Sequence, residues 1–332
     1  MRIGITYDLR AEYLERGFGE EETAEFETIE TIDAIDNALC GLGHTTERIG
    51  DVYSLTRQLA AGARWDLVFN IAEGMHGYGR EAQVPALLDA FRIPYTFSDP
   101  LALTLALHKG NAKRLVQSLG LPTPDFAIVH GDSDLEGVNI PWPAFAKPIA
   151  GGSSAGITPA SKVHDKDELV RTCRDLFERF RQPVLVETFL PGREFTVAVL
   201  GTGQKARVLG VMEVVLRDTA EPAVYTYQNK RNYLMRVSYH LVHDEVAEVA
   251  SAMALRVWKE LGCRDAGRID VRCDGNGNLN FLEINPLAGL HPVDSDLVIL
   301  GRLLGISHST LIETILTSAQ ERVSAKEHVG IA

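Results

Sequence analysis

Apolar and polar positions change period along the chain, and each change marks an element. Residues 3–7 form an apolar run and predict a buried strand. Over 24–42, Ile29, Ile32, Ile35 and Leu39 recur at helical spacing, which predicts a helix stopped by Gly43. Strands are expected at 45–49, 67–71 and 94–97, with helices at 54–61 and 81–91. Strands separated by helices predict a parallel, Rossmann-like sheet over 1–100. The first strand is not followed by G-x-G-x-x-G, so a dinucleotide site of that kind is not supported.

Further on, a helix is expected at 108–119, ended by Gly120 and followed by the connector "LPTPDF". A strand at 145–146 leads into "KPIAGGSSAGI". Asp165 to Glu168 resembles a helix cap, and the helix after it places Leu169, Leu176, Phe177 and Phe180 on one face. Residues 184–200 read as a strand, a short crossing and a second strand. Residues 244–261 predict an amphipathic helix with Val246, Val249, Met253, Val257 and Leu261 as its apolar stripe. Two helices follow, near 297–304 and 309–322, and then a frayed tail.

The segment "GRIDVRCDGNGNLNFLEINPLAG" reads as a hairpin, because Asp, Gly and Asn between two alternating runs are strong turn chemistry. With the turn centred near Asn276 and Gly277, Asp270 lies opposite Glu283 and Arg268 opposite Asn285. Facing carboxylates repel. A hard divalent cation with oxygen ligands removes the conflict. The alternative is a solvated edge hairpin.

Composition narrows the classes. The 332 residues suggest about two or three domains with ample core. The net charge of −12 argues against a nucleic-acid partner. No apolar run reaches membrane length. Cys40, Cys173, Cys263 and Cys273 form no C-x-x-C pair and read as free thiols of a reducing cytoplasm.

Several segments suit phosphate. Lys147 precedes a Gly/Ser loop, 151–156, whose backbone amides and the Ser153 and Ser154 hydroxyls can turn toward an anion. A flexible connector is the alternative for that loop alone. Glu187 ends an apolar strand, with Glu194 seven residues on, and Lys230 and Arg231 sit in a polar loop.

Taken in order, the segments "EGMHGYGREAQVPALLDAFRIPYTFS", "LHKGNAKRLVQSLGLPTPDF", "FAKPIAGGSSAGI", "VLVETFLPGREFTVAVL" and "GRIDVRCD…FLEINPLAGL" resemble the D-alanine–D-alanine ligase family of the ATP-grasp superfamily. The resemblance spans nearly the whole chain. It implies an α/β and α+β architecture, with a Rossmann-like substrate domain at 1–100 and a two-part ATP-grasp fold. The central part would be 101–185, with the phosphate loop, and the C-terminal part 186–332, with the metal and oxyanion residues. It implies a cytoplasmic, ATP-dependent carboxylate–amine ligase of cell-wall precursor synthesis, acting through an acyl phosphate. The expected cofactors are ATP and two Mg²⁺ ions, with Mn²⁺ as substitute. The expected partners are small amino acids and a second copy of the chain, with neither nucleic acid nor membrane. A ligase for another dipeptide or amide, and a non-catalytic nucleotide-binding regulator, are the competing readings.

The same resemblance distributes roles. Lys109 and Lys147 would hold the nucleotide phosphates. Gly152 and Ser154 would close over them, with Ser153 near the transferred group. Glu187, Thr188, Phe189 and Leu190 would line the adenine, and Glu194 would take the ribose. Lys230 would reach in from its loop, and Arg231 stands where the family has a ring. Asp270, Glu283 and Asn285 would hold metal. Arg268 and the Gly289 amide would form the oxyanion hole. His76 would meet a substrate carboxylate, and Glu27, with Glu25 as competitor, the substrate ammonium. Asp294 replaces a serine of the family pattern beside the substrate.

Overall fold

The computed structural model describes residues 1–221, 226, 229 and 233–329, without the side chains of 233, 234 and 325–329. Three sheets carry the described chain. Strands β1 (Arg2–Tyr7), β2 (Thr45–Gly50) and β3 (Leu67–Ile71) pair in parallel in the order β2-β1-β3. The alternation of β1 explains how both its faces are covered. Ile3 and Ile5 join one core with Ile35 and Leu39 of the Ile29–Gly41 helix. Val68 of β3 faces the other way, onto Leu55, Leu59 and Leu88.

The second sheet is four-stranded and antiparallel. It orders β4 (Phe126–Val129), β5 (Ala144–Pro148), β6 (Lys162–Val163) and β7 (Val184–Thr188) as β4-β7-β5-β6. Ala144, Ala146, Val184 and Val186 pack on Leu169, Cys173 and Leu176 of the Lys166–Phe180 helix. Asp165 caps that helix by accepting from the Glu168 amide at 2.8 Å, as its sequence predicts. The opposite face of the sheet presents Phe145, Lys147 and Glu187.

The third sheet is antiparallel, β10-β9-β8-β11-β12, built from β8 (Glu194–Leu200), β9 (Arg207–Leu216), β10 (Val237–Leu241), β11 (Ala266–Cys273) and β12 (Leu279–Asn285). Phe195, Val197, Ile269 and Val271 pack against Met253, Val257 and Trp258 of the Glu245–Glu260 helix. Its other face carries Glu194, Thr196, Arg268, Asp270 and Arg272. The polar faces of the second and third sheets therefore look across one cleft.

Several expectations need correction. The helix predicted from residue 24 begins at Ile29. Residues 20–25 form turns instead, and Glu27 makes an isolated parallel bridge to Leu9. A short helix at Arg10–Glu15 was not foreseen. Residues 94–97 contribute only a bridge from Tyr95 to Val68. In the Glu245–Glu260 helix the buried side is Ala247, Ala250, Ala254 and Trp258 with Met253 and Val257, while Val249 is exposed. Alanines do not register as an apolar stripe, yet they let this helix approach the sheet closely. The last helix continues to Val329.

One buried carboxylate joins distant parts. Asp265, fully buried, accepts from the Phe97 amide (2.8 Å), Ser318 Oγ (2.9 Å), Thr202 Oγ1 (3.2 Å) and Arg322 Nη2 (2.7 Å). These partners come from the first sheet's far end, the loop after β8, and the last helix. Removing one member of a buried ion pair strands the other. Asp265→Ala is expected to lower unfolding free energy by about 3–5 kcal/mol, read as a shift of the denaturant midpoint. A midpoint equal to wild type would refute the role.

Candidate active site

The hairpin of β11 and β12 has the register the sequence predicts. Arg268 pairs with Asn285, and Asp270 with Glu283. The turn is held by Asp274, whose Oδ1 accepts from the amides of Asn276 and Asn278, both at 2.8 Å. Gly277, at φ +84°, supplies the left-handed residue. The sequence did not reveal a bulge. Val271 pairs with Phe281, so Leu282 is an extra residue in β12. The bulge lets Leu282 and Glu283 both face the cleft, while Phe281 and Ile284 both enter the core behind. Strict alternation would have put Phe281 beside Glu283.

On this floor the charges crowd. Arg268 bridges to Asp270 and lies 3.8 Å from Asp296. Thr196 Oγ1 donates to Asp270 at 2.9 Å, and Asn285 Nδ2 donates to Asp270 at 3.3 Å. Burial raises the Asp270 carboxyl, against the pull of Arg268 and with the push of Glu283 and Asp296. Burial also pushes Glu283 upward, but Lys109, Lys147 and Arg268 outweigh it and hold that carboxyl below its usual range. Lys109 Nζ stands 3.4 Å from Glu283 and also donates to the Gly151 carbonyl.

The second sheet adds an ion cluster. Glu187 binds Lys147 at 2.6 Å and Lys113 at 2.7 Å. Burial opposes the charge on Glu187, but the two lysines keep its carboxyl below the normal value. Burial drives Lys113 down to about 8 despite Glu187. The sequence reading missed Lys113, although it lies one helical turn from Lys109 on the same helix face. Beyond Glu187, the Thr188 and Phe189 amides donate to the Asp125 and Pro143 carbonyls, at 2.9 and 3.1 Å, which fixes the segment between β7 and β8.

Two cavities open on this cleft. One, of about 100 Å³, is lined by Lys147, Ser154, the Glu187–Leu190 segment and Glu194. The other, of about 270 Å³, is lined by Glu25, Glu27, Lys109, Gly152, Gly289 and Asp294. Ser153, Arg268, Glu283 and Asp296 line both. Asn285 lines the larger one, and Asp270 the smaller. His76 lines neither: it is exposed, with its ring 6.2 Å from that of Phe18. Lys230 and Arg231 lie outside the described residues. Asp294 stands 3.7 Å from His291.

The larger cavity holds acids the sequence reading did not single out. Glu73 and Glu81 line it, and Arg80 beneath them bonds Glu25 at 2.7 Å. Burial, then Glu81 and Glu25, push Glu73 well above the carboxylate range. Of the two rival glutamates, Glu25 is thus engaged by an arginine. Glu27 is buried, and burial lifts it to about 7 against the pull of the nearby Thr31 hydroxyl and Leu290 amide.

Among the described residues no three His, Cys, Asp or Glu side chains converge as a metal cage. Two carboxylates and an amide, all hard oxygen donors, suit Mg²⁺ that keeps water and phosphate oxygens as its other ligands. Facing Asp270 and Glu283 give such an ion a cost to relieve.

The comparisons with known proteins agree with this geometry. A D-alanine–D-alanine ligase from Bacillus anthracis, solved with ATP, superposes with a TM-score of 0.75 at 21% identity, covering 98% of this chain and 99% of that one. VanG D-Ala:D-Ser ligase from Enterococcus faecalis gives 0.72 at 20% identity, over 96% and 99%. The fold is thus that of the ATP-grasp ligases. A family model described as D-ala D-ala ligase C-terminus matches residues 115–317. The D-alanine–D-alanine ligase of Cupriavidus taiwanensis is 34% identical over 274 residues, 81% of this chain and 80% of that protein. That of Aquifex aeolicus is 32% identical over 294 residues, 87% and 94% of the two chains. The chain belongs to the D-alanine–D-alanine ligase family.

The ion cluster makes a graded prediction. Glu187→Gln leaves two buried lysines facing each other and is expected to cost about 3–5 kcal/mol. Lys113→Met removes the cation that burial already disfavours and should cost less. Denaturant unfolding of both variants checks the order, and a Lys113→Met variant less stable than Glu187→Gln would reverse it.

Proposed function

We propose that the protein is an ATP-dependent, ADP-forming ligase that joins two molecules of D-alanine, giving the dipeptide used in peptidoglycan precursors. The observation that carries this reading is the wall shared by the two cavities: Ser153, Arg268, Glu283 and Asp296. A nucleotide on one side and an amino acid on the other would meet there. The names of the relatives support the same substrate.

A carboxylate is a poor electrophile. Its oxygen attacks the γ-phosphorus of ATP, ADP leaves, and an acyl phosphate forms. Lys109 and Lys147 balance the phosphate charge, while Gly152, Ser153 and Ser154 cover it. Thr188, Phe189 and Leu190 flank the base, and Glu194 meets the ribose. Glu187 orients Lys147 rather than the base. The amine of the second amino acid then attacks the acyl carbon. Arg268 and the Gly289 amide steady the oxyanion, and phosphate leaves, taking the amine's surplus proton with it as hydrogen phosphate. Asp270, Glu283 and Asn285 would hold Mg²⁺, or Mn²⁺, which supplies charge neutralisation at the transferring phosphoryl group. Glu27 receives the ammonium of the first amino acid. Division near residues 100 and 185, a homodimer and a cytoplasmic location belong to the same proposal.

Asp294, Asp296 and His291 on the larger cavity favour a second reading, in which one substrate is more polar than D-alanine. Phosphate release from ATP with Mg²⁺, across D-alanine, D-serine and larger polar amino acids, separates the two. Highest kcat/KM for D-alanine is expected, and no release with D-alanine would refute the first reading. Glu283→Gln should cut turnover by about 100-fold or more while the fold persists.

Glu27 gives a pH prediction. Its carboxyl titrates at about 7, and only the ionised form attracts an ammonium. KM for the first amino acid should therefore fall as pH rises from below to above 7. Glu27→Gln should raise KM by about 10-fold or more at high pH and remove that dependence. A pH-independent KM in wild type would refute the assignment.

A further inference from the structure

The phosphate loop is fastened at both ends. At its start Lys109 donates to the Gly151 carbonyl. At its end the Gly156 amide donates to Glu21 Oε1 at 2.9 Å. The other oxygen of Glu21 accepts from Arg179 Nη2 at 2.6 Å, on the helix behind the loop. Gly156 itself, at φ +74°, is wedged where a Cβ would come within 2.8 Å of Phe180 and of Pro148. Between the two fastenings Ser153 and Ser154 both adopt positive φ, at 48° and 57°. Such a backbone persists only where neighbours impose it.

Glu21 belongs to neither the loop nor its sheet. It comes from the turns at 20–25, which close on themselves. Thr23 N bonds Gly19 O at 3.2 Å, Ala24 N bonds Glu21 O at 3.3 Å, and Phe26 N bonds Thr23 O at 3.1 Å. Thr23 and Phe26 are buried, so the segment is a firm base rather than a loose tether. The same segment ends at Glu27 on the larger cavity.

We propose that Glu21 is a positioning residue, which holds the 151–156 loop in the conformation seen here by gripping the Gly156 amide and Arg179 together. The inference rests on the reading of that loop as the cover of the ATP phosphates. Glu21 touches neither nucleotide nor amino acid; it acts through the loop. Because the grip comes from the segment that carries Glu27, closure over the nucleotide is anchored to the wall of the amino-acid cavity. A loosened loop would let water reach the acyl phosphate.

The test compares wild type with Glu21→Ala, Glu21→Gln and Arg179→Gln. Glu21→Ala removes both bonds, whereas Glu21→Gln keeps an oxygen for the Gly156 amide. Arg179→Gln weakens only the outer one. KM for ATP is expected to rise about 3- to 10-fold in Glu21→Ala and less in the other two. Phosphate released per dipeptide formed should exceed unity in Glu21→Ala, while the melting temperature stays near wild type. A purely structural role would lower the melting temperature and leave that ratio alone. Hydrogen exchange at 151–156 without any ligand should quicken in Glu21→Ala, and unchanged exchange would overturn the proposal whatever the enzyme makes. A wild type that binds no ATP would instead sink the functional reading and leave the exchange result to judge the fastening.

Discussion

Glu187, held between Lys113 and Lys147, is the interaction on which the cleft depends. Lys113 also reaches the third sheet, where Thr123 Oγ1 and Lys113 both approach the Phe281 carbonyl, at 2.9 and 3.5 Å. One buried carboxylate thereby links the Lys109–Ser118 helix, β5 and β7, and through Lys113 touches β12. Buried charges tolerate such a setting only when each is paired. Here the pairing fixes how the polar faces of two sheets stand relative to each other. Lys147 is aimed by the same contact, so its direction and the spacing of the cleft have one cause.

The rest of the cleft is deliberately unbalanced in charge. Asp270, Glu283 and Asp296 gather on one floor, with Arg268 among them, and Glu73, Glu81 and Glu25 gather round Arg80. Each group contains more carboxylates than cations in its first contacts. In a low-dielectric setting this raises some carboxyls and depresses others. Asp270 goes up and Glu283 goes down, although they face each other, because the lysines stand on the Glu283 side. Two carboxyls on paired positions of one hairpin thus differ in proton affinity because of where the cations stand.

Much of this was legible in the chain. Arg268, Asp270, Glu283 and Asn285 could be placed because a hairpin has a period of two and a turn that announces itself. The 67–71 strand, the 109–118 helix and the capped helix after Asp165 were readable for similar local reasons. What stayed hidden was long-range. No local pattern tells that Lys113 meets Glu187, that Arg80 claims Glu25, or that Asp265 ties Phe97 to Arg322. The acidic run before Ile29 looked helical because its apolar neighbours continued the spacing, yet the bridge from Glu27 to Leu9 won. His76 matched a motif but lies exposed, outside both cavities. Alanine-rich faces, as in the Glu245–Glu260 helix, bury well without standing out as hydrophobic.

The extra residue in β12 has a bearing on how such a chain can vary over generations. Leu282 contributes an ordinary aliphatic side chain, and many replacements would fill its place. Its presence, though, is what turns Glu283 and Asn285 toward the cleft while Phe281 faces the core. Deleting that one codon would remove no functional group, yet it would rotate half the floor into hydrocarbon. The side chain at 282 can drift, and the exposed turn at 274–278 can absorb changes in length. The count of residues between Phe281 and Glu283 therefore shapes the floor as much as the identity of any side chain on it.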